Sequence, residues 1–237
     1  TALSAIALVN QIQFLLQMLV MGVGDGVVVI ASRYWGKRDT ASVKQVASIG
    51  MILGVVTSIV LWAIMYFCPG FVLGLLSDEA NVIASGVEYA KIVCFSYLFF
   101  AITNVLLAIL RSVETVKIGV YTSVLALIVN VTLNYFLIFG HGIFPEMGAR
   151  GAAAATLTSR ITETAAVLLY VIFTEKTLRL RLHDFLHAGI EYWKQFFHVG
   201  VSVILSGGLW GFAMLVQSGI LGHLGESVIA ANSIAST

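Results

Sequence analysis

Two asparagines lie four residues apart in the otherwise apolar stretch NVTLNYFLIFG, at residues 130–140. On a helix, Asn130 and Asn134 project from the same face, one turn apart. An amide in hydrocarbon is costly unless a partner satisfies its hydrogen bonds. Two stacked amides can orient a carboxylate or bind a bare cation without changing charge themselves. The alternative is a structural role, in which both amides hydrogen-bond neighbouring helices.

Three charged residues also fall within apolar stretches. Arg160 and Glu163 are three residues apart, so they can pair on one helix face. Charges at membrane depth are rare and often functional, which makes this pair a candidate for ion coupling. The alternative is a self-neutralising structural pair. Asp25 lies between Gly24 and Gly26, and it is either a further coupling candidate or a hydrated residue near a helix end.

Two polar faces predict a cleft that binds substrate. On the first apolar stretch, a sector roughly 120° wide contains several polar or soft side chains: Asn10, Gln13, Gln17, Met21 and Asp25. On the last, a sector of about 80° contains a similar set: Ser206, Trp210, Met214 and Gln217. Aromatic rings attract cations, and methionine adapts to different shapes. Ordinary helix packing is the alternative.

The elements that position these residues are membrane helices. The chain has 237 residues, of which 59% are hydrophobic and 11% charged, with a mean hydropathy of +0.98. Soluble domains are about 25% charged, so we expect a multi-pass membrane protein. Nucleic acid is not an expected partner. Six stretches are long enough to cross a bilayer: residues 5–31, 45–67, 86–110, 118–140, 151–174 and 196–220. A seventh is expected to begin near Ser227.

Positive charge predicts the orientation of these spans. Ten of the thirteen Lys and Arg residues fall in the first, third and fifth connections, which the positive-inside rule places in the cytoplasm. The fifth connection alternates apolar and charged residues and predicts an interfacial helix. It suits a join between two helical bundles. Because the chain begins at Thr1 and ends at Thr237 within an apolar pattern, we expect it to be a piece of a longer protein.

Several motifs together resemble the multidrug and toxic compound extrusion (MATE) family of secondary transporters. The most specific is the Asn-x3-Asn stretch followed by FPEMGARGAAAATLTSR at residues 144–160; IASRYWGKRD and WGFAMLVQSGILGHLGESVIAANSIA also fit. The resemblance implies an all-α polytopic bundle from an internally repeated, two-lobed transporter. Residues 1–174 would form N-lobe helices without the first, residues 175–195 an interfacial linker between lobes, and residues 196–237 the start of the C-lobe.

The resemblance also implies roles for named residues. Asn130, Asn134 and Thr156 match positions around an N-lobe proton or sodium site, beside an acidic residue on a first helix that this sequence lacks. The two polar faces would line the cleft between lobes. Gly207 stands three residues before Trp210, where the resemblance places an acidic residue, and this puts a second cation-binding carboxylate in doubt.

The expected function is antiport of organic, amphiphilic or cationic compounds against protons or sodium by alternating access, without an enzymatic step or a cofactor. The full-length protein is expected to be monomeric and to lie in the inner (plasma) membrane. Two alternatives stay open: a lipid-linked saccharide flippase of the same fold, and a non-transporting membrane scaffold. Neither Cys68 nor Cys94 predicts a disulfide. HDFLH, at residues 183–187, resembles a zinc motif but has no evident third ligand, so no metal site is expected.

Overall fold

The computed structural model of the chain describes residues 2–140, 145–175, 178 and 188–222. All regular structure in these residues is α-helical, which confirms the all-α fold class. Eight helices follow one another in the described ranges: α1 (Ala2–Gly36), α2 (Thr40–Phe67), α3 (Pro69–Gly74), α4 (Ala80–Val93), α5 (Ser96–Ser112), α6 (Lys117–Phe139), α7 (Gly148–Phe173) and α8 (Ile190–Gly222). Five of them are long and apolar enough to cross a membrane, and α4 with α5 forms a bent sixth span.

Helix α1 is the centre of the bundle and packs against α2, α4, α5 and α8. Its first half enters one apolar core, in which Leu8 and Tyr97 are fully buried. Its second half enters another, around Val27 and Phe196. Helix α6 packs mainly against α7 and leaves most of its apolar side chains exposed. An apolar surface of this kind is favourable in contact with lipid and unfavourable in contact with water.

The predicted third span, residues 86–110, is broken in the structure. Helices α4 and α5 meet at an angle of 50°. At the break, the Ser96 hydroxyl donates to the Val93 carbonyl oxygen over 2.6 Å. A serine side chain that bonds a nearby carbonyl competes with the helical backbone pattern and often accompanies a bend. No proline marks this site in the sequence, so hydropathy alone predicted a straight span.

Two short connections between helices depend on specific residues at the helix ends. The Asp39 carboxylate accepts a hydrogen bond from the Ser42 backbone N–H over 3.1 Å and so caps the first turn of α2. Gly140 ends α6 with φ of 66°, in the left-handed region that favours glycine. A Cβ at this position would lie 2.7 Å from the backbone nitrogen of Glu146. Only glycine therefore fits the return toward α7 without strain.

The predicted linker and the last predicted span meet inside one helix. Helix α8 begins at Ile190, so residues 190–195 form its first turns. Most of the predicted interfacial segment, HDFLH and the span expected near Ser227 lie outside the described residues. Helix α8 packs closely on α1, since a Cβ at Gly207 would lie 2.9 Å from the Met18 carbonyl oxygen. The orientation of the spans and the division into lobes remain predictions.

Candidate functional site

A cavity of about 490 Å³ lies among α1, α4, α6 and α7. Four amide side chains contribute to its wall: Asn10, Gln13 and Gln17 from α1, and Asn130 from α6. Helix α7 adds Thr156, Ser159, Arg160 and Glu163. The charged residues among the described lining are Arg160 and Glu163, whose charges cancel. The cavity is therefore polar and close to neutral, within helices that are otherwise built for lipid.

Asn130 and Asn134 form the amide stack that their spacing predicts. Asn134 Nδ2 donates to Asn130 Oδ1 over 3.0 Å. Asn130 faces the cavity, whereas Asn134 lies one turn behind and outside the lining. The Asn134 Oδ1 atom is buried and has no hydrogen-bond partner among the described residues. This acceptor is thus available to any donor or cation that can reach it.

Thr156 is connected to the asparagines through Ser159. The hydroxyl of Ser159 lies 3.4 Å from Asn130 Nδ2, which donates to it, and itself donates to the Thr156 carbonyl oxygen over 2.8 Å. The Thr156 hydroxyl donates to the Ala152 carbonyl oxygen on its own helix over 3.0 Å. Thr156 therefore contributes to the same cavity wall as Asn130, with Ser159 as the direct contact between α6 and α7.

Arg160 and Glu163 form the pair that their spacing predicts. The Arg160 Nη1 atom donates to Glu163 Oε2 over 2.7 Å. The Glu163 side chain is 6% exposed and that of Arg160 is 27% exposed, so the carboxylate is the more deeply enclosed partner. The guanidinium carbon of Arg160 also lies 5.2 Å from the centre of the Phe100 ring on α5. This cation–π contact with Phe100 is a second favourable interaction of Arg160.

The polar face of α1 is divided between two cavities. Asn10, Gln13 and Gln17 line the cavity just described. Met21 and Asp25 line another, of about 480 Å³, between α1 and α8. Ser206 and Gly207 of α8 also line this second cavity. The first part of this face borders the cavity shared with α6 and α7, and the later part borders the cavity shared with α8.

The remaining candidates on α8 line neither of these two cavities. Trp210 is 56% exposed, Gln217 is exposed and Met214 is half-buried. Asp25 lies 3.5 Å from the guanidinium of Arg111, at the end of α5. Both side chains of this pair are about half exposed: 51% for Asp25 and 45% for Arg111. This contact is separate from the pair of Arg160 with Glu163.

Sequence reasoning did not find every residue of the site. Tyr89 on α4 is buried, lines the cavity and donates to Asn10 Oδ1 over 3.4 Å. Ser159 and Ser123 also belong to the wall. Because serine and tyrosine are common in helices, their presence in the sequence did not predict that they line a site. The spacing of Ser159 three residues after Thr156 was the available hint, since such residues share a helix face.

Within the described ranges, no group of three or more His, Cys, Asp or Glu side chains is arranged to hold a metal ion. The HDFLH sequence lies outside those ranges. Cys68 is exposed and Cys94 is buried, and both are free thiols.

Comparison with known proteins gives consistent matches. The sequence model of the MatE family matches residues 1–136. A "Probable multidrug resistance protein NorM" from Thermotoga maritima is 30% identical over 76% of this chain and 39% of its own length. A protein of the same name from Rhizobium meliloti is 29% identical over 99% of this chain and 50% of its own length. The chain thus spans half or less of the length of these curated relatives.

Solved structures share the fold. An inward-facing multidrug resistance MATE family transporter of the MOP superfamily superposes with a TM-score of 0.83, at 23% identity over 97% of this chain and 51% of its own. The MATE multidrug transporter DinF-BH superposes with a TM-score of 0.88, at 20% identity over 99% of this chain and 52% of its own. At these identities the likeness shows the fold alone.

Proposed function

The chain belongs to the MATE family and is a multi-pass protein of the cell membrane, and we propose that it forms helices of the first lobe, and the start of the second lobe, of a secondary multidrug exporter. The exporter exchanges organic cations or amphiphiles for protons or sodium by alternating access between two lobes. No covalent step is involved. The cavity among α1, α4, α6 and α7 is the site at which the ion and the substrate influence each other.

The single observation that carries this proposal is the composition of the cavity wall. Four amides and one compensated ion pair surround about 490 Å³ of space inside a membrane bundle. Amides satisfy both donors and acceptors, and they do not require one charge or one shape of ligand. The wall also includes the apolar side chains of Phe14 and Leu127, and a near-neutral cavity of this size with both kinds of group suits a small organic molecule. NorM and DinF-BH, to which the chain is similar, are multidrug proteins by name.

The asparagines are proposed to shape the ion site without titrating. Asn130 lies on the wall and Asn134 supports it from behind through the 3.0 Å hydrogen bond. Their carbonyl oxygens can orient a protonated carboxyl group or bind sodium directly, since hard cations prefer oxygen ligands. Thr156, on the facing helix, adds a further oxygen to the same cavity. Neither asparagine can take up a proton.

The cavity also helps to distinguish an exporter from the two alternative functions, a flippase and a scaffold. A flippase for lipid-linked saccharides handles an anionic phosphate and needs surplus positive charge along its path. Here the one described cation of the wall, Arg160, is neutralised by Glu163. A scaffold protein would pack its polar stripe against other helices, whereas three amides of α1 line a cavity. Both observations support an exporter.

Reconstituted transport tests the proposal. The full-length protein, in proteoliposomes, is loaded with tetraphenylphosphonium, and a pH or sodium gradient is imposed. We expect movement of tetraphenylphosphonium against its own gradient, and its collapse when an ionophore dissipates the driving ion. Transport that is absent under both gradients, in protein shown to be folded, would contradict the proposal.

A further inference from the structure

We propose that Glu163 is the proton-binding residue of the cavity and that Arg160 converts its protonation into repulsion of a cationic substrate. The inference rests on the proposed export function and names the residue and the ion that drive it. It differs from the expectation that the acid is supplied only by a helix outside this sequence. It also gives the pair a role that a purely structural ion pair would not have.

The position of Glu163 makes it suitable for this role. It lines the same cavity as Asn130 and Thr156, on the face of α7 that carries Thr156, Ser159 and Arg160. Its side chain is 6% exposed, so water screens a change in its charge only weakly. The neighbouring groups that face the cavity are mostly uncharged amides and hydroxyls. Among the described lining residues, the other titratable groups are Arg160, on α7, and Tyr89, on α4.

The charge balance of the pair provides the coupling. When Glu163 is ionised, the cavity carries one positive and one negative charge and is neutral. When Glu163 takes up a proton from the medium, its carboxyl group becomes neutral and Arg160 leaves one uncompensated positive charge at the wall. A cation in a cavity of about 490 Å³ is then close enough to be repelled. The proton and the cationic substrate thus exclude each other, as antiport requires.

The Phe100 ring stabilises the Arg160 guanidinium when protonation of Glu163 removes the ion pair. The guanidinium lies 5.2 Å from the centre of that ring, and an aromatic face stabilises a cation. Loss of the ion pair on protonation is therefore partly offset by a contact that already exists. Phe100 is on α5, so this contact also ties α7 to the segment just after the 50° bend between α4 and α5.

A second ion pair in the chain provides a matched control. Arg150 and Glu88 pair over 2.9 Å, but both side chains are more than half exposed. Neither residue lines the cavity. Glu88→Gln therefore removes the same type of charge from the same kind of pair, outside the proposed site. A general effect of losing one negative charge would appear in Glu88→Gln as well as in Glu163→Gln.

The test compares two ions of similar shape and opposite charge, tetraphenylphosphonium and tetraphenylborate. Their affinities for the purified full-length protein are measured across pH in sodium-free buffer. In the unmodified protein and in Glu88→Gln, acidification should weaken binding of tetraphenylphosphonium by about tenfold, a usual size for coupling between two sites. The same change should strengthen binding of tetraphenylborate. Glu163→Gln should bind tetraphenylphosphonium weakly and tetraphenylborate tightly at all pH values, without the pH dependence.

Removal of both charges separates folding from coupling. Arg160→Gln combined with Glu163→Gln leaves the cavity neutral and should restore binding of tetraphenylphosphonium while abolishing its pH dependence. Pronounced pH dependence that survives in Glu163→Gln would overturn the inference. Export driven by a pH gradient could still be present in that case, so the proposed function would stand. Absence of gradient-driven transport in the unmodified protein would overturn the function instead.

Discussion

Asn134 on α6 donates a hydrogen bond from its Nδ2 atom to Oδ1 of Asn130, one turn earlier, over 3.0 Å. The bond fixes the Asn130 side chain, which in turn donates to Ser159 on α7 across 3.4 Å. A chain of three side chains thus joins the two helices that form one wall of the cavity. Because Asn134 stands behind the wall, its removal tests coupling without removing a group from the lining.

Asn134→Leu should lower gradient-driven export per folded molecule by about tenfold or more, since a displaced Asn130 no longer orients the ion site. The cost in folded protein should be smaller, because the lost hydrogen bond lies within α6, and even interhelical side-chain hydrogen bonds contribute only about 0.5–2 kcal/mol in membrane bundles. Asn134→Asp should retain transport and shift its pH dependence, as a titratable group joins the site. Transport in proteoliposomes, normalised to folded protein, measures both effects.

Val131→Leu is the control for this pair of variants, because Val131 is 58% exposed on the same helix and faces away from the packed interior. It should leave export unchanged. If Asn134→Leu instead shows normal export per folded molecule and only a lower yield, the asparagines are structural cross-links and the coupling role is wrong.

Gly207 should be required for the close approach of α8 to α1. A Cβ there would lie 2.9 Å from the Met18 carbonyl oxygen, a backbone atom that cannot move without its helix. Gly207→Ala should therefore reduce stability by about 1–3 kcal/mol, the usual cost of overpacking. Thermal unfolding of the purified protein measures this change. Gly70→Ala, where a Cβ would meet nothing within 4 Å, should have no comparable effect; equal losses at the two positions would contradict this account of the contact.

The sequence predicted the parts of the site that depend on spacing within one helix. The stack of Asn130 on Asn134 and the pair of Arg160 with Glu163 are one-turn relationships, so helical geometry was sufficient to predict them. Membrane spans followed from apolar length in the same way. The family resemblance correctly indicated the fold, because its motifs cover most of the chain.

Relationships between helices were not predictable in the same way. The division of the α1 face between two cavities depends on where α6, α7 and α8 lie beside it, and hydropathy does not contain that information. Ser159 became the partner of Asn130 through the packing of α7 on α6. The bend at Ser96 depends on which carbonyl the hydroxyl bonds, and many membrane helices tolerate serine without a break. The short helix α3 was likewise not predicted.

Asp39 should make one part of the stability dependent on pH. Its hydrogen bonds from the side chain and backbone of Ser42 hold the pKa of the carboxyl below its ordinary value of 3.8. A lowered folded pKa contributes stability above the unfolded value, and the contribution is lost as pH falls through the folded value. The advantage of the unmodified protein over Asp39→Asn should therefore be constant above about pH 5 and shrink below about pH 4.

Thermal unfolding across this pH range measures the difference between the two proteins. Asparagine is nearly as good a helix cap as aspartate, so the variant keeps the cap but cannot titrate. Glu146→Gln removes another exposed carboxylate and serves as the control. A gap between unmodified protein and Asp39→Asn that stays the same at all pH values would contradict the assignment.

The most direct test of the central claim is the rate at which a cysteine at Ser123 is labelled. The Ser123 side chain is exposed on α6 and lines the cavity. Every native cysteine of the full-length protein, including Cys68 and Cys94, is first replaced by alanine. In the full-length transporter, tetraphenylphosphonium at about ten times its Kd should slow labelling by a small polar maleimide about tenfold, as the unoccupied fraction of sites falls by that factor. Addition of the coupling ion should restore the rate, since ion and substrate exclude each other. A labelling rate that neither addition changes, in protein that still exports tetraphenylphosphonium, would contradict the claim that this cavity is the coupled site.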